Sequence, residues 1–242
     1  MKFKLATLAA VCTLAAAPAF ADGLNGPDPY AAGLGFDTPS EASWGGWMRG
    51  DAGTIYAEWD TFTDSSYGTT IDRTAAPTTG SSGTTDAFIS WNSGTFPAST
   101  GNPYNFSGPE IYQTSIVGAD IDGGVRAVLQ IEGWGTELDL DSVMLNSLMP
   151  TVTSITYVDD SYPSSFGDVV LTQYLFYWDL ASAPTSYVFD FSSGAHMSLA
   201  QVVVDIAAAP VPEPETYAML LAGIGLVGWQ VRRRNKNAHT AA

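Results

Sequence analysis

The chain has 242 residues, 45% of them hydrophobic, with 25 acidic residues against nine lysines and arginines and a formal net charge of −16. That balance repels nucleic acid and anionic lipid, so neither is expected as a partner of the bulk of the chain. With its two ends set aside, about 190 residues remain, enough for one domain with a sizeable core.

The N-terminus has a basic start (Lys2, Lys4), an apolar stretch over 5–17, and Ala19-Phe20-Ala21 as an A-x-A cleavage site. This predicts a secretory signal peptide over residues 1–21, a signal helix removed on export. Cys12 is a poor lipoprotein site, because bulky Val11 precedes it and the signal is complete without it. Cleavage removes the only cysteine, so disulfides cannot staple the mature chain and its fold must rest on an apolar core.

Residues 22–43, rich in glycine and proline, read as a loosely ordered arm. "SWGGWMRG" over 43–50 follows. Trp44 and Trp47 sit there among glycines beside Arg49, and they are the first candidates for binding a sugar or a partner. Residues 54–60 set Ile55, Ala57 and Trp59 against Tyr56, Glu58 and Asp60, the alternation of a half-buried strand. Residues 68–86, almost free of apolar side chains, predict a mobile excursion or long hairpin loop. Strands are predicted over 85–91 and 110–117.

"GADIDGG" over 118–124 places Asp120 and Asp122 before two glycines. The simpler reading is a hairpin turn between strands ending at Ile121 and starting at Val125. The other is a calcium site, since calcium takes carboxylate and carbonyl oxygens, although the third ligand and the distal glutamate of an EF-hand are missing. Further strands are predicted over 125–133, 137–145, 152–158, 169–180, 186–191 and 198–206. The second of these shifts phase from Leu138 and Leu140 to Val143 and Leu145, which predicts a bulge near Ser142. Trp134, in "EGWGTE", ranks after Trp44 and Trp47 as a ligand candidate.

The pattern of short strands, turn residues and no amphipathic helix predicts an all-β fold over 22–206: an antiparallel β-sandwich, jelly-roll-like. Residues 22–211 carry 23 acids, no lysine, and only Arg49, Arg73 and Arg126, a net charge of −20. Catalytic signals are thin. The one histidine of this region, His196, has no G-x-S-x-G serine to act on and reads as a loop residue. Without cysteine, one histidine does not build a usual zinc site. Acid pairs suited to glycoside hydrolysis exist (Glu58 with Asp60, Glu132 with Glu137, Asp139 with Asp141), as chance alone provides among so many acids.

Residues 207–216 read as a proline-stiffened linker. Residues 217–231 carry no charge and span ~22 Å as a helix, a thin transmembrane helix with Tyr217 and Trp229 at its interfaces. Residues 232–242 form a basic tail expected on the cytoplasmic side. Gly223, Gly225 and Gly228 spell G-x-G-x-x-G, but an apolar run precedes them and only fourteen residues follow, so this is no dinucleotide site. Pro212, Glu213 and Pro214, the apolar stretch, then Arg232, Arg233 and Arg234 together resemble the PEP-CTERM sorting signal. The resemblance covers about 210–236. It implies processing by an exosortase near the Pro-Glu-Pro motif, anchoring in the inner membrane before processing, and release to the surface or matrix of a bacterium that makes exopolysaccharide. It implies nothing about the domain itself.

The expected function is that of an exported structural or adhesive protein without catalytic activity or a required cofactor. The alternative is a lectin-like module that binds exopolysaccharide.

Overall fold

A computed structural model describes residues 26–62, 73–92, 94–98, 100–118, 121–164, 167–209, 220–224 and 226. The described strands are β1 (Ile55–Trp59), β2 (Arg73–Ala75), β3 (Gly80–Ser82), β4 (Phe88–Trp91), β5 (Phe96–Pro97), β6 (Pro103–Tyr104), β7 (Glu110–Ile116), β8 (Val125–Gly135), β9 (Leu138–Leu145), β10 (Val152–Ser164), β11 (Gly167–Leu180), β12 (Tyr187–Ser193) and β13 (Met197–Ala208). They form an antiparallel sandwich. The larger sheet runs β10-β11-β8-β13-β1-β3, with β6 also on β13 and β5 on β6. The smaller runs β2-β4-β7-β12-β9. The chain passes from one sheet to the other at most connections.

The small sheet shows period two. In β12, Tyr187, Phe189, Phe191 and Ser193 are buried, and the residues between them are not. One of its faces meets the core and the other meets water. The centre of the large sheet differs. β8 and β13 are buried almost throughout their length. Their inner residues, among them Leu129, Ile131, Val202 and Val204, meet Phe176, Trp178, Phe189 and Phe191 in one apolar core. Their outer residues are buried by something else.

That cover is the N-terminal segment, and it corrects the expectation of a loose arm. Residues 26–54 are laid over the outer face of the large sheet as a third layer. Glycine and proline composition suggested looseness, but the arm's backbone groups find fixed partners. Phe36 N–H donates to Pro29 O at 3.1 Å and Gly46 N–H to Pro39 O at 2.7 Å. Gly35 N–H donates to Gln173 Oε1 at 2.5 Å. Gln130 holds Asp37 at both backbone atoms, taking its N–H and donating to its carbonyl, each at 3.0 Å. Phe36 and Trp44 are buried beneath the arm.

Three other expectations change. Residues 73–75 and 80–82, placed in a loop, pair at sheet edges as β2 on β4 and β3 on β1, in different sheets, so the segment crosses the sandwich instead of forming a hairpin. The 118–124 segment is no hairpin turn either, since the strands on either side of it, β7 and β8, belong to different sheets. β13 runs to Ala208, two residues beyond 206. The phase shift in β9 stands. Its pairing with β12 is irregular between Asp139 and Met144, where Ser142 Oγ accepts from Ser192 N–H at 2.8 Å. The signal helix over 1–21 and the basic tail lie outside the described residues. Of 217–231, residues 220–224 and 226 are helical, and among the described residues no helix is long and apolar enough to cross a membrane.

The arm's order is testable by hydrogen exchange. The Gly35 and Asp37 amides should be protected as strongly as the amides of β8; exchange at the rate of an open chain would show a loose arm. Gln130→Ala, which removes both bonds to Asp37, should cost about 1–3 kcal/mol in denaturant unfolding.

Candidate functional site

The outer face of the large sheet carries polar side chains where the arm presses on it. β13 sends out Gln201 and Asp205, β1 Tyr56 and Glu58, β8 Gln130 and Glu132, and β11 Gln173. Register aligns Gln173 with Glu132 and Gln201, and Asp205 with Tyr56. Asp205 is 1% exposed and Glu58 2%. Carboxylates so placed need partners, because burial without them is costly.

Arg49 of the arm supplies the partner. Its Nε and Nη2 donate to the two oxygens of Asp205, each at 2.8 Å, in a bidentate pair. Nη1 donates to Glu58 Oε2 at 3.3 Å, and Nη2 also reaches the Tyr30 hydroxyl at 2.9 Å. The guanidinium lies over the Tyr56 ring at 4.1 Å from its centroid. Glu58 gains a hydrogen bond from the Tyr56 hydroxyl and one from Gln201 Nε2 at 2.6 Å. Burial pushes the Asp205 carboxyl up, and the hydrogen bonds and charge of Arg49 pull it back without cancelling the rise. Burial likewise raises Glu58 against the pull of Tyr56 and Arg49. Burial opposes the charge on Arg49, but Asp205 outweighs it and holds the guanidinium above its ordinary pKa.

A third buried acid lies on β8, the strand next to β13. Glu132 accepts from Gln173 Nε2 at 2.5 Å, and Gln173 Oε1 in turn takes the arm's Gly35 N–H. Burial lifts Glu132 to about 7, against the Gln173 hydrogen bond.

The residues singled out in the sequence do not form one site. Trp44 is buried and Trp47 half-buried, their rings edge to face at 5.8 Å. The Trp44 carbonyl is held by Arg126 Nη1 at 2.9 Å, while the rest of that guanidinium clamps Asp179 at 2.7 Å through Nε and Nη2. Trp47 borders a shallow cleft of about 330 Å³ between 45–47, 51–54 and Ala207–Ala208. Arg49 is spent on its ion pairs. Trp134 stands eight residues along β8 from Arg126, roughly 26 Å away, where its ring lies tilted against Tyr162 at 5.3 Å between centroids.

Asp122 is exposed, in a corner where Gly123 has φ +82°; a left-handed glycine suits the turn. Asp120 lies outside the described residues, as do Pro212, Glu213, Pro214, Arg232, Arg233 and Arg234. Among the described residues no group of three or more His, Cys, Asp or Glu side chains is placed to hold a metal ion. The acid pairs read from the sequence are mostly divided by burial: Glu58 is buried and Asp60 only half so, and Glu132 is buried and Glu137 exposed. The acids that do meet, Glu58 and Asp205, meet around an arginine.

A further acid sits inside the sandwich. Glu110 of β7 is fully buried and accepts from the Tyr112 hydroxyl. Its Oε1 has no hydrogen-bond partner. Burial lifts it to about 8, against the Tyr112 hydrogen bond, so at neutral pH it is mostly a neutral acid.

Sequence reasoning missed the polar layer. One signal was present: Gln201 and Asp205 fall at outward positions of β13, a strand otherwise almost wholly apolar.

Residues 210–234 match the family model described as the PEP-CTERM protein-sorting motif. Neither the search of curated proteins nor that of solved structures returned a match. The tail therefore carries the sorting motif expected of it, which implies export, anchoring in the membrane before processing, and an exosortase as processing partner.

Two outcomes follow. Arg49→Ala strands Asp205 and Glu58 in the buried layer and should cost about 3–5 kcal/mol of unfolding free energy. The Glu110 carboxyl binds its proton more tightly folded than unfolded, so its contribution is full below its ordinary pKa of about 4.5 and is lost as pH rises toward 8. Glu110→Gln should remove that loss. The variant should gain on the wild type by up to about 1.4 kcal/mol per pH unit across this window, read from urea midpoints.

Proposed function

We propose that the chain is a non-catalytic structural or adhesive protein of the cell surface or extracellular matrix, delivered by an exosortase. The observation that carries this is the sorting motif at 210–234, which begins two residues after the last strand ends at Ala208. A closed three-layer domain hangs directly on an export tail. The groups that catalysis would recruit, the buried Glu58, Asp205 and Glu132, are engaged in holding the arm to the sheet. Turnover of the host's own polysaccharide by the protein would overturn this reading.

The second reading, a carbohydrate-binding module, draws little on Trp44, which is buried, or on Trp47, which is half-buried with its ring edge to face against Trp44. It rests on aromatic rings at the opposite end of the large sheet.

Replacing Pro212, Glu213 and Pro214 by alanine should block processing. Fractionation of the host should then find the protein in the membrane at its unprocessed mass, where the parent chain is found processed at the surface or in the medium. Equal processing of both would remove the exosortase from the account.

A further inference from the structure

The end of the large sheet away from Trp44 carries a cluster of rings that the core does not use. Phe106 is 62% exposed. It meets Tyr104 edge to face at 4.8 Å and lies tilted on Phe96 at 5.8 Å. The His196 ring is 6.1 Å from Tyr104 and 6.5 Å from Phe106. Tyr104 OH and His196 Nδ1 share a hydrogen bond of 2.8 Å. Phe106 is thus the exposed part of a contiguous patch of four rings, the kind of surface feature that marks an interaction site more often than a lone exposed side chain does.

The backbone beneath them is strained and fixed. His196 has φ +71°, a left-handed conformation costly for a side chain that is not glycine. Its N–H donates to Asn105 O at 3.0 Å and its carbonyl accepts from Thr136 N–H at 3.3 Å. Thr136 Oγ1 ties down Ala195 O at 2.6 Å. The imidazole is thus held in place at the cost of strain, although glycine would fit this turn more easily.

Register extends the cluster. Ser198 of β13 is paired with Tyr104 of β6 on one side and with Trp134 of β8 on the other. Directly paired residues share a face, and strands lie about 4.8 Å apart. The Trp134–Tyr162 pair and the Tyr104–Phe106 pair therefore stand roughly 10 Å apart, with a serine between them.

We propose that this aromatic row, Phe106, Tyr104 and His196 with Trp134 across Ser198, is a binding surface for a neutral polysaccharide; the proposal rests on the adhesive reading above. A sugar ring offers an apolar face to stack on an aromatic ring and hydroxyls around its rim for the imidazole and the phenol. The small serine between two aromatic groups suits an extended chain more than a single residue. The domain's net charge of −20 disfavours an anionic polymer. A peptide strand is the poorer occupant, because β5 and β6 each contain a proline at this edge, Pro97 and Pro103, which offers no N–H for strand addition.

The test is affinity electrophoresis of the full-length protein in detergent through gels containing dextran, hydroxyethyl cellulose or glycol chitin, with polygalacturonate as the acidic control. Retardation by at least one neutral polymer and not by polygalacturonate is expected. Phe106→Ala, at a site already in water, should weaken it by about tenfold or more. His196→Gly should weaken it too while leaving the thermal midpoint unchanged or higher, since glycine accepts the left-handed backbone. Trp47→Ala should leave it as it was. The proposal falls if no neutral polymer retards the wild type, or if Phe106→Ala and His196→Gly are retarded like the wild type. Such a failure leaves the sorting and processing result standing and so separates the binding surface from the surface-protein reading.

Discussion

The fold turns on where the large sheet puts its carboxylates. Asp205 and Glu58 lie on the outer face of central strands, a place that would be exposed in a two-layer sandwich and is buried here. Arg49 makes that burial tolerable, and Arg49 belongs to the arm. Arm and sheet are therefore mutually required. Without the arm the apolar outer residues of β8 and β13, such as Val128 and Val203, face water; without the acids the arm's only arginine is buried for nothing. The tyrosines complete the arrangement by giving Glu58 the hydrogen bonds that one arginine cannot supply.

This closure replaces the disulfides that an exported chain often uses. It joins residues far apart in sequence: Arg49 to Asp205 across 156 positions, and Asp37 to Gln130 across 93. Such contacts form only once distant strands have assembled, and they order a segment that costs backbone entropy to hold. The arm is thus expected to settle on a sheet already built, and the polar layer to act as a final latch.

The sequence made some of this readable and hid the rest for physical reasons. β4, β7, β12 and β1 alternate because one face meets the core, so these strands could be placed from period two, whereas the three-residue edge strand β2 could not. The phase slip in β9 was visible as a break in that period. The arm was not visible, because its bonds run from backbone atoms to side chains of other strands, and composition carries no trace of them. For the same reason Arg49 looked like a ligand residue beside Trp44 and Trp47, when its partners lie on β1 and β13. The strands β5 and β6, two residues each and each with a proline, fall below any periodic signal, and with them went the Phe96–Tyr104–Phe106 cluster. His196 was legible only as an isolated histidine; what sets it apart is a backbone angle.

The position of the tail gives the architecture a mechanical sense. β13 leads directly to the matched motif, and it is a central strand, flanked along its length by β8 and over Val202–Ile206 by β1. A pull on Ala208 along the strand loads these hydrogen bonds together, in shear, whereas a terminal edge strand could be peeled away one bond at a time. Asp205, three residues before the exit, is clamped through Arg49 to the arm, so the same pull is resisted by the third layer as well. The proposed aromatic surface lies around Ser198, at the opposite end of that same strand. A load between a bound polymer and a membrane-held tail would then run along β13 itself, the strand best buttressed against it.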